Sequence, residues 1–211
     1  MELIIDGSSH VITGAIGKEE KYSTFTLHSK IKHSQKLMDF VDLFLKENNL
    51  DIKDIKKLGV SIGPGSFTGL RIAVAFIKGI ASALNLNIAP IPTTDIYSWL
   101  IDKDEGYIVL PAREGYVYTT KYSNKERISE YQMLSYEEAI KIVEGKEIVG
   151  YGAEKLGIEI PWYKKYPNGI SLVKAYKNIK EEKKPNEIEL IYVQEPLAIR
   201  ELEKRNDRKT K

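Results

Sequence analysis

The sequence predicts an α/β protein with two lobes, each built on a mixed β-sheet. Three observations indicate this fold. Three short apolar strands open the chain, and helices then alternate with strands. The order of three strands followed by a helix begins again after residue 105. A length of 211 residues allows one large domain or two small lobes.

The first lobe is predicted from short apolar runs separated by turn residues. Its strands are expected at Leu3–Asp6, Val11–Ile16, Tyr22–Leu27, Leu58–Ile62 and Leu86–Ile91. Apolar residues at helical spacing predict helices over Ser34–Asn49 and Ser66–Asn85. The first three strands must be antiparallel because their connections are short, whereas strands joined through helices run parallel. The order β-β-β-α-β-α-β is that of a ribonuclease-H-like lobe.

The second lobe repeats this plan in degraded form, without convincing residue identity between the halves. Its strands are expected at Tyr107–Leu110, Tyr116–Tyr122, Arg127–Met133 and Glu147–Gly150. A capping box, Ser135-Tyr136-Glu137-Glu138, opens a helix that runs to about Glu144. The remaining elements are expected as a loop over Trp162–Asn168, a helix over Gly169–Lys183, a strand over Glu189–Val193 and a terminal helix over Pro196–Arg205. We therefore divide the chain into lobes 1–100 and 101–211, with the terminal helix a candidate to pack back on the first lobe.

Composition and charge exclude several classes of protein. The chain has no cysteine, which excludes disulfides, thiolate nucleophiles and cysteine-ligated zinc. The net charge of +2, from 32 basic and 30 acidic residues, gives no global reason to expect nucleic-acid binding. The first residues carry an acid where a secretory signal has Lys or Arg, and we find no apolar run near the ~18 residues that span a bilayer. A cytoplasmic protein is expected.

The most informative segment lies between a predicted strand and a predicted helix. It reads Gly63-Pro64-Gly65-Ser66-Phe67-Thr68-Gly69-Leu70-Arg71. Glycines at such a turn allow close backbone approach, and the helix N-terminus that follows suits an anion. The alternative is structural: Pro64 and Gly65 make the turn, a hydroxyl caps the helix, and Gly69 lets it lie close to the sheet. The segment is not a P-loop, because no Lys-Ser/Thr pair follows the glycines.

A second candidate site is the tip of the first hairpin, where Asp6, Ser8 and Ser9 flank Gly7. An acid, small hydroxyls and backbone N–H groups at this position can hold metal-bound phosphate of a nucleotide. An Asp-Gly turn is also an ordinary hairpin. The histidines His10, His28 and His33 form no metal-binding pair, and no serine-nucleophile elbow occurs. We therefore assign no catalytic residue and no metal site.

The two first-lobe helices carry more apolar surface than one sheet contact requires. Apolar residues cover about 220° of the first helix and leave only a narrow polar stripe on the second. Either the excess is buried between these helices and the second lobe, or it binds a protein partner. The residues expected at a partner interface are Leu37, Met38, Phe40, Phe44, Leu70, Val74, Ile77 and Lys78.

The terminal run Lys204–Lys211 carries five basic groups against one acid. It is either a solvated tail or a contact for RNA phosphates.

Taken in order, several motifs resemble the bacterial TsaB (YeaZ) family. These are Asp6-Gly7-Ser8, His33-Ser34-Gln35-x-Leu37, the glycine-rich stretch, Ala112-Arg113-x-x-x-Val117-Tyr118, Gly150-Tyr151-Gly152-Ala153 and Tyr192-Val193-Gln194. The glycine-rich stretch is the specific part. The sequence departs from the family pattern at Pro111, where Asp is common, and at Leu190, where Pro is common. Pro111 removes a candidate polar group from the cleft between the lobes.

The resemblance implies an actin-like ATPase (ASKHA) fold of two ribonuclease-H-like lobes. It also implies a role in making threonylcarbamoyladenosine beside the anticodon of tRNAs that read codons beginning with A. In that pathway a TsaD-like subunit transfers the threonylcarbamoyl group and a TsaE-like subunit supplies an ATPase, while the TsaB subunit is a non-catalytic activator. Pairing is expected through the first two helices, with a homodimer when the chain is alone. The alternative is an ATPase or phosphotransferase; ATP or ADP is otherwise expected only within the complex, and a protease role gains no support.

Overall fold

The computed structural model describes residues 1–28 and 33–193 of the chain. The predicted terminal helix Pro196–Arg205, Gln194 and the basic run Lys204–Lys211 lie outside the described residues.

The first sheet has five strands, as predicted, and brings the ends of its central strands to the glycine-rich turn. The strands are β1 (Glu2–Asp6), β2 (Val11–Lys18), β3 (Lys21–His28), β4 (Lys57–Gly63) and β5 (Ile88–Pro92). Their spatial order is β3-β2-β1-β4-β5. The first three strands are antiparallel neighbours, whereas β1, β4 and β5 are parallel. The predicted lobe topology is confirmed.

Helices cover both faces of this sheet. Helices α1 (His33–Glu47) and α2 (Phe67–Leu84) lie on one face, and α3 (Thr93–Ser98) and α6 (Gly169–Lys177) lie on the other. Alternation along β1 supplies both interfaces, because Leu3 and Ile5 point to the α1–α2 side and Ile4 to the α3–α6 side.

The second sheet is smaller. Its strands are β6 (Glu105–Pro111), β7 (Tyr116–Ser123), β8 (Glu126–Arg127), β9 (Gln132–Ser135) and β10 (Ile148–Val149). The order is β10-β6-β7-β8, and β9 also pairs with β7. The predicted capping box is confirmed: Ser135 and Glu138 exchange side-chain bonds with each other's backbone N–H, and α4 (Tyr136–Val143) follows. Helix α5 (Trp162–Lys165) begins after Pro161.

Several elements differ from the prediction. The expected strand Arg127–Met133 is two short strands, because the Ser129 hydroxyl replaces a backbone partner and accepts from Lys121 N at 2.8 Å. Helix α3 was not predicted, and helix α5 lies where a loop was expected over Trp162–Asn168. Helix α6 ends at Lys177 and not at Lys183. Residues 189–193 form no strand, because this segment bonds to the first lobe through single hydrogen bonds such as that from Ile191 N to Ile62 O.

Helix α6 packs on the first sheet although it follows the second sheet in sequence. Tyr176 lies against Gly59 of β4, and Gly169 lies against Thr24 of β3. Leu172 and Ala175 fill the core between this helix and the sheet. The division at residue 100 stays a prediction, with α6 as the element that crosses it.

Helix α2 has the composition of a membrane span. Among the described residues it is the one helix long and apolar enough to cross a bilayer, with a mean hydropathy of 1.5 over 18 residues. The expectation that no apolar run reaches this length is therefore wrong. Gly69, Leu70, Ala73, Val74, Ile77 and Ala81 of this helix are buried within the chain. A core helix of a globular lobe passes the same test.

Candidate functional site

The turn after β1 and the glycine-rich turn after β4 pack directly on each other. Ser66 N donates a hydrogen bond to Ser8 O at 2.6 Å. A Cβ atom added to Gly65 would lie under 3.0 Å from Ser8 O, and one added to Gly69 would lie equally close to Gly7 O. The glycines at these two positions are therefore needed for close backbone approach. The Ser66 hydroxyl caps α2 by accepting from Gly69 N.

The three candidate nucleotide-binding side chains lie beneath this contact. Asp6, Ser8 and Ser9 are each at most 1% exposed. Asp6 Oδ1 accepts from Ser8 N at 3.0 Å, and the Ser9 hydroxyl bonds to the backbone of Val11. All three side chains are thus closed to solvent in the structure.

Four buried polar atoms near this junction have no hydrogen-bond partner among the described residues. They are Asp6 Oδ2, Ser8 Oγ, Thr93 Oγ1 and Tyr97 OH. Burial raises the pKa of the Asp6 carboxyl, against opposing hydrogen bonds from Ser61 and Ser8. Burial also raises the pKa of Tyr97 well above its usual value, with added effects of Tyr151 and Asp6. The carboxyl sits in an environment that favours its neutral form.

Aromatic side chains from both lobes pack together beside the contact between the two turns. His10 lies 4.9 Å from the Tyr166 ring, and Tyr166 stacks on Tyr151 at 5.5 Å. His28 lies 5.7 Å from the ring of Trp162. In the described ranges, no group of three or more His, Asp or Glu side chains is placed to hold a metal ion. His10 and His28 instead pack against aromatic rings of the second lobe.

A cleft of about 310 Å³ opens beside the glycine-rich turn. Its lining residues are Gly65, Ser66, Phe67, Pro111, Ala112, Tyr118 and Tyr151. Pro111 forms part of its wall, and none of these lining residues carries a carboxylate.

Half of the predicted partner interface is buried in the chain's own core. Leu37, Leu70, Val74 and Ile77 are buried within the chain, each at most 6% exposed, and their place at a partner interface stays a prediction. Met38 is 64% exposed. Phe40 and Phe44 are half-buried against the Phe25 ring. The remaining predicted residue, Lys78, is half-buried and donates to Ile188 O at 2.9 Å.

The exposed side of α2 is formed by other residues. We define the α2 ridge as Thr68, Arg71, Ala75, Gly79, Ser82 and Ala83, all exposed. A Cβ atom added to Gly79 would meet no atom within 4 Å. The sequence signal for this ridge was the spacing of Ala75, Gly79 and Ala83, small residues four apart. The sequence prediction chose the large apolar side chains of α2, and these lie on the side of the helix that packs in the core.

Comparison with known proteins gives a consistent result. A family model described as "TsaD: tRNA N6-adenosine threonylcarbamoyltransferase" matches residues 26–177. A Bacillus subtilis (strain 168) protein, tRNA threonylcarbamoyladenosine biosynthesis protein TsaB, is 30% identical over 131 residues, which are 61% of this chain and 57% of the relative. The protein of the same name from Buchnera aphidicola subsp. Schizaphis graminum (strain Sg) is 27% identical over 57% of this chain and 59% of its own length. The matches thus span under two thirds of these relatives.

Solved structures confirm the fold. A Pseudomonas aeruginosa protein described as similar to peptidase YEAZ superposes with a TM-score of 0.77 at 18% identity, over 92% of this chain and 99% of that one. The structure titled "YeaZ from Pseudomonas aeruginosa" gives a TM-score of 0.74 at 18% identity, over 91% and 99%. These structures confirm the predicted α/β fold with mixed sheets, and the actin-like ATPase type stays a prediction. With the family model covering most of the chain, the chain belongs to the family that this model describes, and its similarity to the curated TsaB proteins and to the YeaZ structure supports the TsaB (YeaZ) members of it.

Proposed function

We propose that this chain is a non-catalytic subunit required for the threonylcarbamoyladenosine modification of tRNA in the cytoplasm. It acts by docking on a TsaD-like transferase subunit, with a TsaE-like ATPase as a further partner. The names of the curated relatives support the pathway. The α2 ridge is the observation that supports the docking role.

Helix α2 is apolar, and the α2 ridge on it is exposed in the part of the chain that the structure describes. Only 33% of the apolar window of α2 is buried within the chain. Helix α1 adds two exposed apolar side chains, Met38 at 64% and Leu43 at 53%. Exposed apolar surface of this kind marks a protein interface. The small residues Ala75, Gly79 and Ala83 along the ridge let a second helix approach closely, because the distance between packed helices depends on the size of the side chains at the contact.

The glycine-rich turn supports a structural role for the residues that could otherwise handle phosphate. Gly65 and Gly69 hold the first hairpin turn against α2, and Asp6 lies enclosed below. The motif therefore fixes the position of α2 on the sheet. A rigidly seated α2 is what a docking subunit needs.

The proposal is tested by mixing the purified chain with TsaD from the same organism and measuring mass by size exclusion with light scattering. We expect a complex, and we expect Gly79→Arg to prevent it, since the new side chain has free space in the monomer but blocks the ridge. Ile140→Arg is the matched control, because Ile140 is an exposed residue on helix α4 of the second lobe. Absence of any complex, together with no effect of the chain on transfer to tRNA when TsaE is present, contradicts the proposal.

A further inference from the structure

The segment that follows the last core helix runs back along α2. We define the C-terminal strap as residues 183–193. Lys183 exchanges both backbone hydrogen bonds with Ile88 at 2.8 Å, which covers the edge of β5. Ile188 is buried in the first-lobe core. Ile191 N then donates to Ile62 O at 2.8 Å, at the end of β4. The strap is thus fixed at three points.

The strap and α1 flank α2 on opposite sides. Helix α1 lies toward β3, because Phe40 and Phe44 contact Phe25 of that strand. The strap lies toward β5, at the other edge of the sheet. On a helical wheel of ~100° per residue, Phe67 and Lys78, which contact the strap, lie about 20° apart. The α2 ridge is therefore the floor of a surface with α1 as one wall and the strap as the other.

Three side chains form an exposed cluster where the strap meets the start of α2. The Tyr192 ring lies 5.9 Å from the Phe67 ring, and Arg71 Cζ lies 3.8 Å above the Phe67 ring. Tyr192 is 45% exposed and Phe67 is 42% exposed. Arg71 forms no ion pair with any residue that the structure describes. Tyr and Arg are enriched among the interface residues that contribute most of the binding free energy.

We propose that the C-terminal strap is the third element of the docking surface and that the Arg71–Phe67–Tyr192 cluster is its anchor. This inference rests on the proposed function and deepens it. The partner it fits is an apolar helix face that carries a carboxylate. Charge supports this occupant, because α2 contains two cations, Arg71 and Lys78, and no acid. The Lys78 ammonium is already engaged by Ile188 O, so Arg71 is the cation presented to a partner.

The strap separates cleanly into a part that serves the fold and a part that faces outward. Ile188 is buried, and Leu190 packs against the same core. Tyr192, in contrast, contacts Phe67 at the surface. Removing the Tyr192 side chain therefore removes part of the surface and leaves the anchoring contacts in place.

The test titrates the full-length chain against TsaD from the same organism. We expect Tyr192→Ala and Arg71→Ala each to raise the dissociation constant at least ten-fold. The effect of Arg71→Ala should be smaller at high salt. Arg113→Ala is the matched control for the arginine, because Arg113 stacks on Tyr116 at 4.0 Å on the second lobe. Tyr163→Ala is the matched control for the tyrosine, because Tyr163 is an exposed residue of α5. Both controls should bind as the wild type does.

The outcomes distinguish this inference from the proposed function. If Gly79→Arg prevents the complex while both cluster variants bind like the wild type, the strap is not part of the surface and the inference is overturned. If the wild-type chain forms no complex, the proposed function fails first and the strap inference falls with it. Thermal unfolding is measured for every variant; should Tyr192→Ala fail to fold, Tyr192→Leu replaces it with the same expectation, since leucine still covers Phe67 but lacks the ring.

Discussion

The ammonium of Lys164 and the carboxylate of Glu147 form an ion pair that is almost closed to solvent, with side chains 13% and 6% exposed. Glu147 also accepts backbone N–H bonds from Asp102 at 2.9 Å and Lys103 at 2.7 Å. Lys164 belongs to α5, whereas Asp102 and Lys103 belong to the connection between the two sheets. One carboxylate thus fastens both segments to β10.

We expect Glu147→Gln to lower the free energy of unfolding by about 1–3 kcal/mol at pH 7, the range for a buried charged hydrogen bond. Burial pushes the pKa of Glu147 up, but hydrogen bonds from Lys164, Asp102 and Lys103 outweigh it and leave the pKa lowered. A lowered carboxyl pKa gives stability that is present at neutral pH and lost as pH falls through the folded-state value. Urea unfolding between pH 3 and 7 checks this, and an equal cost at both ends contradicts it.

The pH dependence of stability that comes from Asp6 is expected to have the opposite sign. Its pKa is raised above 3.8 by burial, so the folded chain holds this proton more tightly than the unfolded chain does. The associated stability is complete below about pH 4 and is lost as pH rises through the folded-state pKa. Asp6→Asn keeps the shape and cannot ionise, so we expect it to be more stable than the wild type at pH 8. Urea unfolding should show this gain disappear near pH 4; a variant less stable than the wild type at pH 8 contradicts the assignment.

Two glycines on α2 should respond in opposite directions to alanine. Gly79→Ala is expected to raise the free energy of unfolding by about 0.5–1 kcal/mol, because helix-interior glycine costs that much and the new methyl group has free space. Gly69→Ala is expected to lower it by about 1–3 kcal/mol, because the methyl group would collide with Gly7 O. Thermal or urea unfolding of both variants measures the contrast. Equal effects would show that the contact between the two turns is not tight.

Nucleotide binding separates the docking subunit from the ATPase alternative. We expect calorimetry of the isolated chain with Mg-ATP to show no micromolar binding, because Asp6, Ser8 and Ser9 are enclosed by the two packed turns. Micromolar binding with turnover that Asp6→Ala abolishes would favour the ATPase. Ser82→Ala, on the exposed ridge, controls for a general effect of substitution.

Local signals predicted local structure well. The capping box at Ser135 and the apolar alternation of β1 and β2 depend on neighbouring residues, so the sequence contained what they needed. Helix α3 was missed because it is short, with six residues, and is held through distant partners of Thr94. The Tyr122 hydroxyl donates to Thr94 at 2.8 Å, and Thr94 contacts Tyr131 OH at 3.2 Å. Hydrogen bonds between residues so far apart in the sequence cannot be predicted from local patterns.

Excess apolar character directed the prediction of a docking surface to α1 and α2, and that surface stays a prediction. Hydropathy cannot say which side of an apolar helix meets the sheet. The structure decides it by placing Val74 and Ile77 inward and Ala75 and Gly79 outward. The contribution of Tyr192 could not be foreseen, because the contact joins residues 125 positions apart, Phe67 and Tyr192.

The backbone hydrogen bond between Ser66 and Ser8 has a consequence for the kinetics of association. The start of α2 is hydrogen-bonded to the β1–β2 turn and cannot tilt without breaking that bond. If α2 docks as proposed, we expect it to meet the partner already in its final orientation. Association through such a surface is a rigid-body encounter, and stopped-flow mixing with TsaD should show one phase whose rate rises linearly with concentration. Its constant should fall in the ordinary range for preformed surfaces, about 10⁵–10⁷ M⁻¹s⁻¹.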